Sequence, residues 1–209
     1  MTIVADFTNT NYNYIIIRGG ESCRVIASRL AEALPDYEIP MIEAGPSDLD
    51  NKPILDLRNM GNEFDYGFKS TEQPNVNSNI LHLRAKSTDK ALKIPNVDSV
   101  NHEISLAVGI SKSGVSFFSF TSDQDTGYRA SASVAYTHPI LRGEEKRPNL
   151  MVLTNAWTYR INVIDGVTTG VTVTLQLSRK LRINAKKEII LCAGANDTPR
   201  LVFLSGIGL

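Results

Sequence analysis

A β-branched apolar run, Tyr14-Ile15-Ile16-Ile17, stops abruptly at Gly19-Gly20, the pattern of a short strand buried on both faces. From Ser22 onward Val25, Ile26, Leu30 and Leu34 recur at near-helical spacing, and Pro35 closes the stretch because it cannot continue a helix. A second expected strand, Glu38 to Glu43, ends at Ala44-Gly45-Pro46. Strand, glycine turn, helix and strand within about thirty residues predict a βαβ unit with parallel strands and a right-handed crossover.

Between residues 47 and 114 the pattern weakens into Asn, Asp, Ser and Pro with brief apolar runs such as Ile80-Leu81, which reads as mostly loop. An aromatic run over residues 116–120 precedes a Ser- and Ala-rich stretch, 128–136, and a charged loop, 142–148. Sheet-forming Thr, Val and Ile then fill residues 151–154, 158–164, 170–177 and 181–185, with turns at Asp165-Gly166 and Ser178-Arg179, so a three-stranded meander is expected. A further short strand, 188–192, leads into Ala193-Gly194-Ala195. A last helix is expected from Thr198-Pro199 to Gly206. No internal repeat or low-complexity tract is visible.

Composition narrows the function classes. At 209 residues, with 42% apolar and 21% charged residues, the chain can bury a core as one domain or two small ones. Lys plus Arg equals Asp plus Glu at 22 each, so no net field draws in nucleic acid or an anionic membrane, and a small molecule is the expected ligand. Cys23 and Cys192 fit no metal-ligand spacing and each sits in an apolar stretch, so buried reduced thiols are expected and no metal site is assigned. The polar N-terminus lacks the order of a signal peptide and no apolar run approaches a membrane span, which points to a soluble cytoplasmic protein.

The first turn carries the candidate chemistry. A dinucleotide turn uses glycines for a tight bend, for close approach of the backbone to pyrophosphate, and for close packing of helix on strand. The Gly-x-Gly-x-x-Gly register here falls on Arg18, Gly20 and Cys23, with Gly19 beside the surviving middle glycine. On its own this is an ordinary strand-to-helix turn. Glu43, at the end of the second strand about twenty residues on, is where a carboxylate accepts hydrogen bonds from a ribose diol. A solvated acidic residue at a strand end is the other reading of the same position.

Two longer segments are more specific. Residues 14–30 together with Ile42-Glu43-Ala44-Gly45-Pro46 resemble the amino-terminal signature of the glucose-methanol-choline oxidoreductases, and residues 194–208, beginning Gly194-Ala195-Asn196-Asp197-Thr198-Pro199-Arg200, resemble that family's second signature. Residues 127–136 and Arg147-Pro148-Asn149-Leu150 are similar to the segment that leads back into the nucleotide domain, and Ser133-Val134-Ala135-Tyr136-Thr137-His138-Pro139 resembles the choline-oxidase-like members. The resemblance implies an α/β fold in which a Rossmann-like βαβ unit of the FAD/NAD(P)-binding kind carries a β-meander insertion, with the substrate domain largely missing. It implies FAD as cofactor and choline or another primary alcohol as substrate, oxidised at its CH–OH group. Position by position, Glu43 would hold the adenosine ribose, Gly19 and Gly20 would lie under the pyrophosphate, Thr158 would offer backbone groups to adenine, and Gly194 would sit close to the cofactor. Without the family, Thr158 is simply a strand residue and Gly194 a turn that needs a small one. The expected organisation is an FAD-binding βαβ unit over residues 1–48, an irregular remnant of the flavin loop and substrate region over 49–126, and a return into the FAD-binding domain over 127–209.

The chain departs from the family pattern in three places. After Arg84-Ala85-Lys86 it reads Ser87-Thr88-Asp89-Lys90 where choline-oxidase-like proteins have a glycine-rich loop with a linking histidine, and it stops at Leu209, ahead of the family's active-site histidine. A shortened, internally deleted chain with weak or no activity is therefore expected, and no catalytic residue is assigned. His138, between Thr137 and Pro139, reads as a packed side chain, and His82 and His102 as surface residues. At the turn, Arg18 brings a side chain where the backbone should approach the ligand, and Glu21 adds negative charge to the helix N-terminus, although Arg18 could pair with phosphate. A non-catalytic remnant or nucleotide-fold binding module is the alternative. An NAD-dependent dehydrogenase needs only the βαβ unit and Glu43, and explains nothing after Gly127.

Overall fold

The computed structural model describes residues 3–4, 10–56, 71–72, 74, 123, 126, 128–175 and 179–208. The chain divides into two compact units, Met1–Asn51 with Ala130–Leu209 and, separately, Lys52–Arg129. The apolar runs at 80–81 and 116–120, the position of the flavin loop at 84–90, and His82 and His102 lie outside the described residues.

The larger unit contains β1 (Ile3–Val4), β2 (Asn11–Ile17), α1 (Glu21–Ala33), β3 (Ile39–Ile42), α3 (His138–Leu141), β4 (Leu150–Leu153), β5 (Trp157–Ile164), β6 (Val167–Thr174), β7 (Lys180–Leu191) and α4 (Gly194–Leu204). In the smaller unit a single helical turn, α2 (Lys52–Leu55), is followed by an antiparallel bridge between Asp56 and Tyr128. The seven strands form one sheet in the order β1-β4-β3-β2-β7-β6-β5. The first five are mutually parallel, and β6 and β5 continue the sheet in antiparallel sense from β7. This is an α/β fold with Rossmann-like parallel strands and a β-meander.

The three isoleucines of β2 explain why the chain starts as it does. Side chains alternate across a strand, so Ile15 and Ile17 enter one core with Ile42, Leu153, Ile161, Val171, Ile183 and Leu201, while Ile16 enters the other with Cys23, Ala27, Ala31, Met41, Ile140 and Val152. The first core joins the parallel strands to the meander and α4, and the second joins them to α1 and α3. All three isoleucines are fully buried, each contributing about 2 kcal/mol of apolar burial.

The structure corrects the helical face read from the sequence. The buried row of α1 is Cys23, Ala27, Ser28 and Ala31, not the larger Val25, Ile26, Leu30 and Leu34. Small side chains at i, i+4 and i+8 let the helix lie close to the sheet, while Ile26 and Leu30 pack along its flanks. Asn149 closes the far end of this helix: its Nδ2 lies 3.1 Å from Ala31 O, 2.9 Å from Leu34 O and 3.1 Å from Tyr37 O. A side-chain amide thus covers carbonyls that the helix terminus leaves open.

Other boundaries differ from expectation, among them the middle meander strand, which runs over Val167–Thr174 and not 170–177. The third meander strand and the following short strand are one 12-residue strand, β7. A bulge opposite Asn13, where Tyr12 pairs Ala185 and Tyr14 pairs Glu188, absorbs the exposed Lys186 and Lys187 without ending the pairing. Gly170 sits where β6 and β7 come together, and a Cβ there would lie 2.1 Å from Ile183 O, so no other residue fits. The last helix begins at Gly194 rather than at Thr198-Pro199, with Pro199 inside it. Gly194 has φ +83°, a conformation that makes the sharp exit from β7 and favours glycine. Ahead of α3, residues Ser133–Thr137 form a wide π-helical turn within the Ser- and Ala-rich stretch, for which the sequence pattern predicts no element.

Candidate functional site

Parallel strands end together, and their C-terminal edge is where open α/β sheets place ligands. Ile17 is in register with Ile42 on one side and Leu191 on the other, so the chain leaves β2, β3 and β7 at one level. The next residues stay joined: Arg18 N–H donates to Ile42 O at 2.7 Å, Cys192 N–H to Ile17 O at 3.3 Å, and Glu43 N–H to Leu153 O at 2.7 Å. Glu43, the Gly19-Gly20 turn and Gly194 therefore share one edge, with β2 between the strands that carry Glu43 and Gly194.

The carboxylate of Glu43 is held at both oxygens. Gly19 N–H donates to Oε2 at 2.5 Å and Gly45 N–H to Oε1 at 2.8 Å. Each oxygen keeps a free lone pair for a further donor. Gly19 is needed for this approach, since a Cβ there would lie 3.1 Å from Glu43 Oε2 and 3.3 Å from its Cβ and Cγ. Gly20 precedes α1 with no side chain capping the helix, and a Cβ there would meet nothing within 4 Å. The main chain of Glu43 also accepts from Ala156 N–H at 2.9 Å, which ties the edge to the start of β5.

Thr158 enters a cleft at this edge with Ile17, Arg18, Trp157, Ala193, Asp197, Arg200, Leu201 and Leu204. It is 7% exposed, and its Oγ1 is buried without a hydrogen-bond partner. Arg18 dominates the same cleft. It adopts φ +82°, a left-handed conformation that side chains seldom take. Its guanidinium pairs with Asp197 Oδ2 at 2.7 Å and stacks 4.2 Å from the centre of the Trp157 ring. Arg200 adds a longer contact to Asp197 Oδ1 at 3.4 Å and lies 5.6 Å from the same ring.

Behind the turn lies a polar cluster that the sequence reading missed. Arg24 Nε donates to Gly19 O at 2.5 Å, Nη1 donates to Ser133 Oγ at 2.5 Å and to Thr137 Oγ1 at 2.7 Å, and Nη2 pairs with Asp48 Oδ1 at 3.3 Å. Arg24 thus grips the carbonyl of Gly19 while Glu43 holds its N–H. The sequence carries no local signal for it, since Arg24 is one polar residue among several in the predicted helix. Burial by itself would raise the Asp48 carboxyl, but the nearby His138, the charge of Arg24 and the neighbouring Ser133 hydroxyl outweigh it and hold the group at about 2. His138 is 1% exposed, with Nε2 at 3.5 Å from Asp48 Oδ1, and it packs within this cluster, away from the cleft-lining residues.

The two cysteines, distant in sequence, are neighbours: Cys23 Sγ lies 3.4 Å from Ile17 O and 3.2 Å from Cys192 O, either of which can accept its one S–H, and neither cysteine is in a disulfide. Burial, reinforced by Cys192, pushes the Cys23 thiol well above its ordinary range. Among the described residues no group of three or more His, Cys, Asp or Glu comes together as a metal site, and no helix is long and apolar enough to cross a membrane.

Comparison with known proteins agrees with this fold. Oxygen-dependent choline dehydrogenase of Staphylococcus aureus (strain MSSA476) is 26% identical over 280 aligned positions, which take in 96% of this chain and 48% of that protein. Since 96% of 209 residues is about 200, about 80 positions inside the aligned region have no counterpart here. The enzyme of the same name from Staphylococcus xylosus is 41% identical over 92 residues, or 44% of this chain and 15% of that one. A structure of formate oxidase from Aspergillus oryzae RIB40, described for modification of its FAD, superposes with a TM-score of 0.70 at 17% identity, over 97% of this chain and 49% of the other. The chain spans about half the length of the relatives it matches end to end. The family model for GMC oxidoreductase matches residues 96–209, more than half of the sequence, and the chain belongs to the GMC oxidoreductase family.

Proposed function

We propose that this chain forms the nucleotide-binding part of a FAD-dependent oxidoreductase acting on the CH–OH group of an alcohol such as choline. The observation that carries the reading is the shared edge of Glu43, Gly19 and Gly194, with the orphaned, buried Thr158 Oγ1 lining the adjoining cleft. Family membership and the relatives named for choline oxidation support the substrate class.

The adenosine side fits the cofactor. Glu43 would accept the ribose hydroxyls on its remaining lone pairs, in the orientation fixed by Gly19 and Gly45 N–H. Gly19 and Gly20 would underlie the diphosphate, where the uncapped amides of α1 face a negative charge favourably. Thr158 would meet the adenine, and Gly194 would give the cofactor close access to the start of α4. When bound, FAD supplies the hydride acceptor for alcohol oxidation. Among the described residues none is assigned to the proton transfer, because His138 is buried with Nε2 toward Asp48.

The test is reconstitution of the purified chain with excess FAD, followed by desalting. Retained flavin absorbance that falls in the Glu43→Ala variant is the expected result, and no retained flavin would overturn the reading. Choline-dependent oxygen consumption by the loaded chain then separates an active oxidoreductase from a nucleotide-fold module that binds without turnover. That second reading is favoured by one observation: the Arg18–Asp197 pair lies in the cleft itself.

A further inference from the structure

We propose that Arg18 is an exchangeable plug of the nucleotide cleft: its guanidinium leaves Asp197 and the face of Trp157 to bind the diphosphate of an adenosine nucleotide, and so makes this site select for phosphate-bearing ligands. The inference rests on the nucleotide reading above and assigns a role that the turn's glycines do not have.

Three features support it. The first is backbone strain, since a residue with a side chain holds φ +82° where glycine is free to do so. Such strain persists only where the surroundings fix it, and it gathers at ligand sites and switches. The second is charge. Arg18 and Asp197 are 11% and 13% exposed, and Asp197 is shared with Arg200. Two guanidinium groups against one carboxylate leave one positive charge in excess at the cleft. A diphosphate can therefore draw Arg18 away while Asp197 keeps Arg200, and no buried charge is stranded by the exchange. The exposed Glu21 in the first turn of α1 opposes the ligand's charge, which increases the need for a cation at residue 18. The third is the cleft's own unfilled hydrogen bond: Thr158 Oγ1, buried and unpartnered, lines the same space.

Trp157 is the chain's one tryptophan, so its emission reports directly on whether Arg18 occupies its face. The experiment titrates adenosine and ADP into the wild type and the Asp197→Asn, Arg18→Gln and Arg18→Lys variants, with calorimetry for affinity and Trp157 emission for the exchange. Wild type is expected to bind ADP about tenfold more tightly than adenosine, the scale of one charge-assisted contact. Asp197→Asn should tighten ADP several-fold and leave adenosine unchanged. Arg18→Gln should reduce ADP to the level of adenosine and abolish the ADP-induced change in emission, and Arg18→Lys should restore part of the preference. An ADP-to-adenosine ratio that is the same in all four proteins, or ADP binding with no change in Trp157 emission, overturns the plug while leaving the nucleotide reading intact. If neither ligand binds any of the four, both fail together, whereas ADP binding to Asp197→Asn alone supports the plug in its strongest form.

Discussion

The backbone N–H of Gly19 donates to Oε2 of Glu43, across 24 residues of sequence, at 2.5 Å. This bond fixes the carboxylate at the edge of the sheet and requires that residue 19 have no side chain. In Gly19→Ala the new Cβ would press on Oε2 from 3.1 Å, so the carboxylate must turn away. We expect a stability loss of about 1 kcal/mol, the low end for overpacking, with at least a tenfold loss of ADP affinity. Glu43→Gln should also weaken ADP, because an amide cannot accept both Gly19 and Gly45 N–H and still receive two hydroxyls. Urea unfolding with ADP titration measures both, and unchanged ADP binding in Gly19→Ala would show that the carboxylate's orientation is unimportant.

Arg18 allows backbone strain to be separated from side-chain contacts. Arg18→Gly and Arg18→Ala both lose the Asp197 pair and the stacking on Trp157, but only alanine keeps a Cβ at φ +82°. Arg18→Gly should therefore be more stable than Arg18→Ala by about 1 kcal/mol. Equal midpoints for the two in urea would mean that the turn relaxes out of the left-handed region once the guanidinium is gone.

Much of this edge is legible in the sequence, and the unread parts share a physical cause. The β-branched run at residues 14–17 and the strand ending at Glu43 could be recognised because two-sided burial demands continuous apolar side chains. Local pattern failed where a distant partner decides the outcome. Arg24 looks like any polar helix residue until Ser133 and Thr137, 109 and 113 residues on, close around it. Hydrophobic periodicity weights size and so points to the larger aliphatics, whereas close helix-sheet packing selects the small row Cys23, Ala27 and Ala31. Lys186 and Lys187 fall between two expected strands because a bulge that carries charge outward within a strand has no compositional mark of its own.

Asn149 belongs to the same class and makes a stability prediction. One amide nitrogen serves three carbonyls at the end of α1. Replacing it with alanine would take this donor from Ala31 O and Tyr37 O, while Leu34 O keeps Tyr37 N–H, at a cost of about 1–3 kcal/mol. Asn149→Asp should be worse than Asn149→Ala at neutral pH, since a carboxylate would face the same carbonyl oxygens. Thermal unfolding of the two variants orders them, and an aspartate variant as stable as wild type would show that the amide makes no net contribution.

Asp48 gives the fold a specific acid sensitivity. Burial raises its carboxyl, but His138, Arg24 and Ser133 together hold it at about 2, below the ordinary 3.8. With 18% of the side chain exposed, the lowering corresponds to about 2 kcal/mol of folding stability, with solvent screening reducing rather than enlarging it. A carboxyl depressed in the folded state contributes fully above its unfolded value and loses that contribution as pH falls through its folded one. The stability gap between wild type and Asp48→Asn should therefore be near its full size at pH 6 and narrow as pH is lowered from about 4 toward 2. Urea unfolding of both proteins at several pH values in that window checks the sign. A gap that stayed constant down to pH 3, or widened, would show that Asp48 is not held in its charged form by the residues around it, and that Arg24 grips the Gly19 carbonyl without its help.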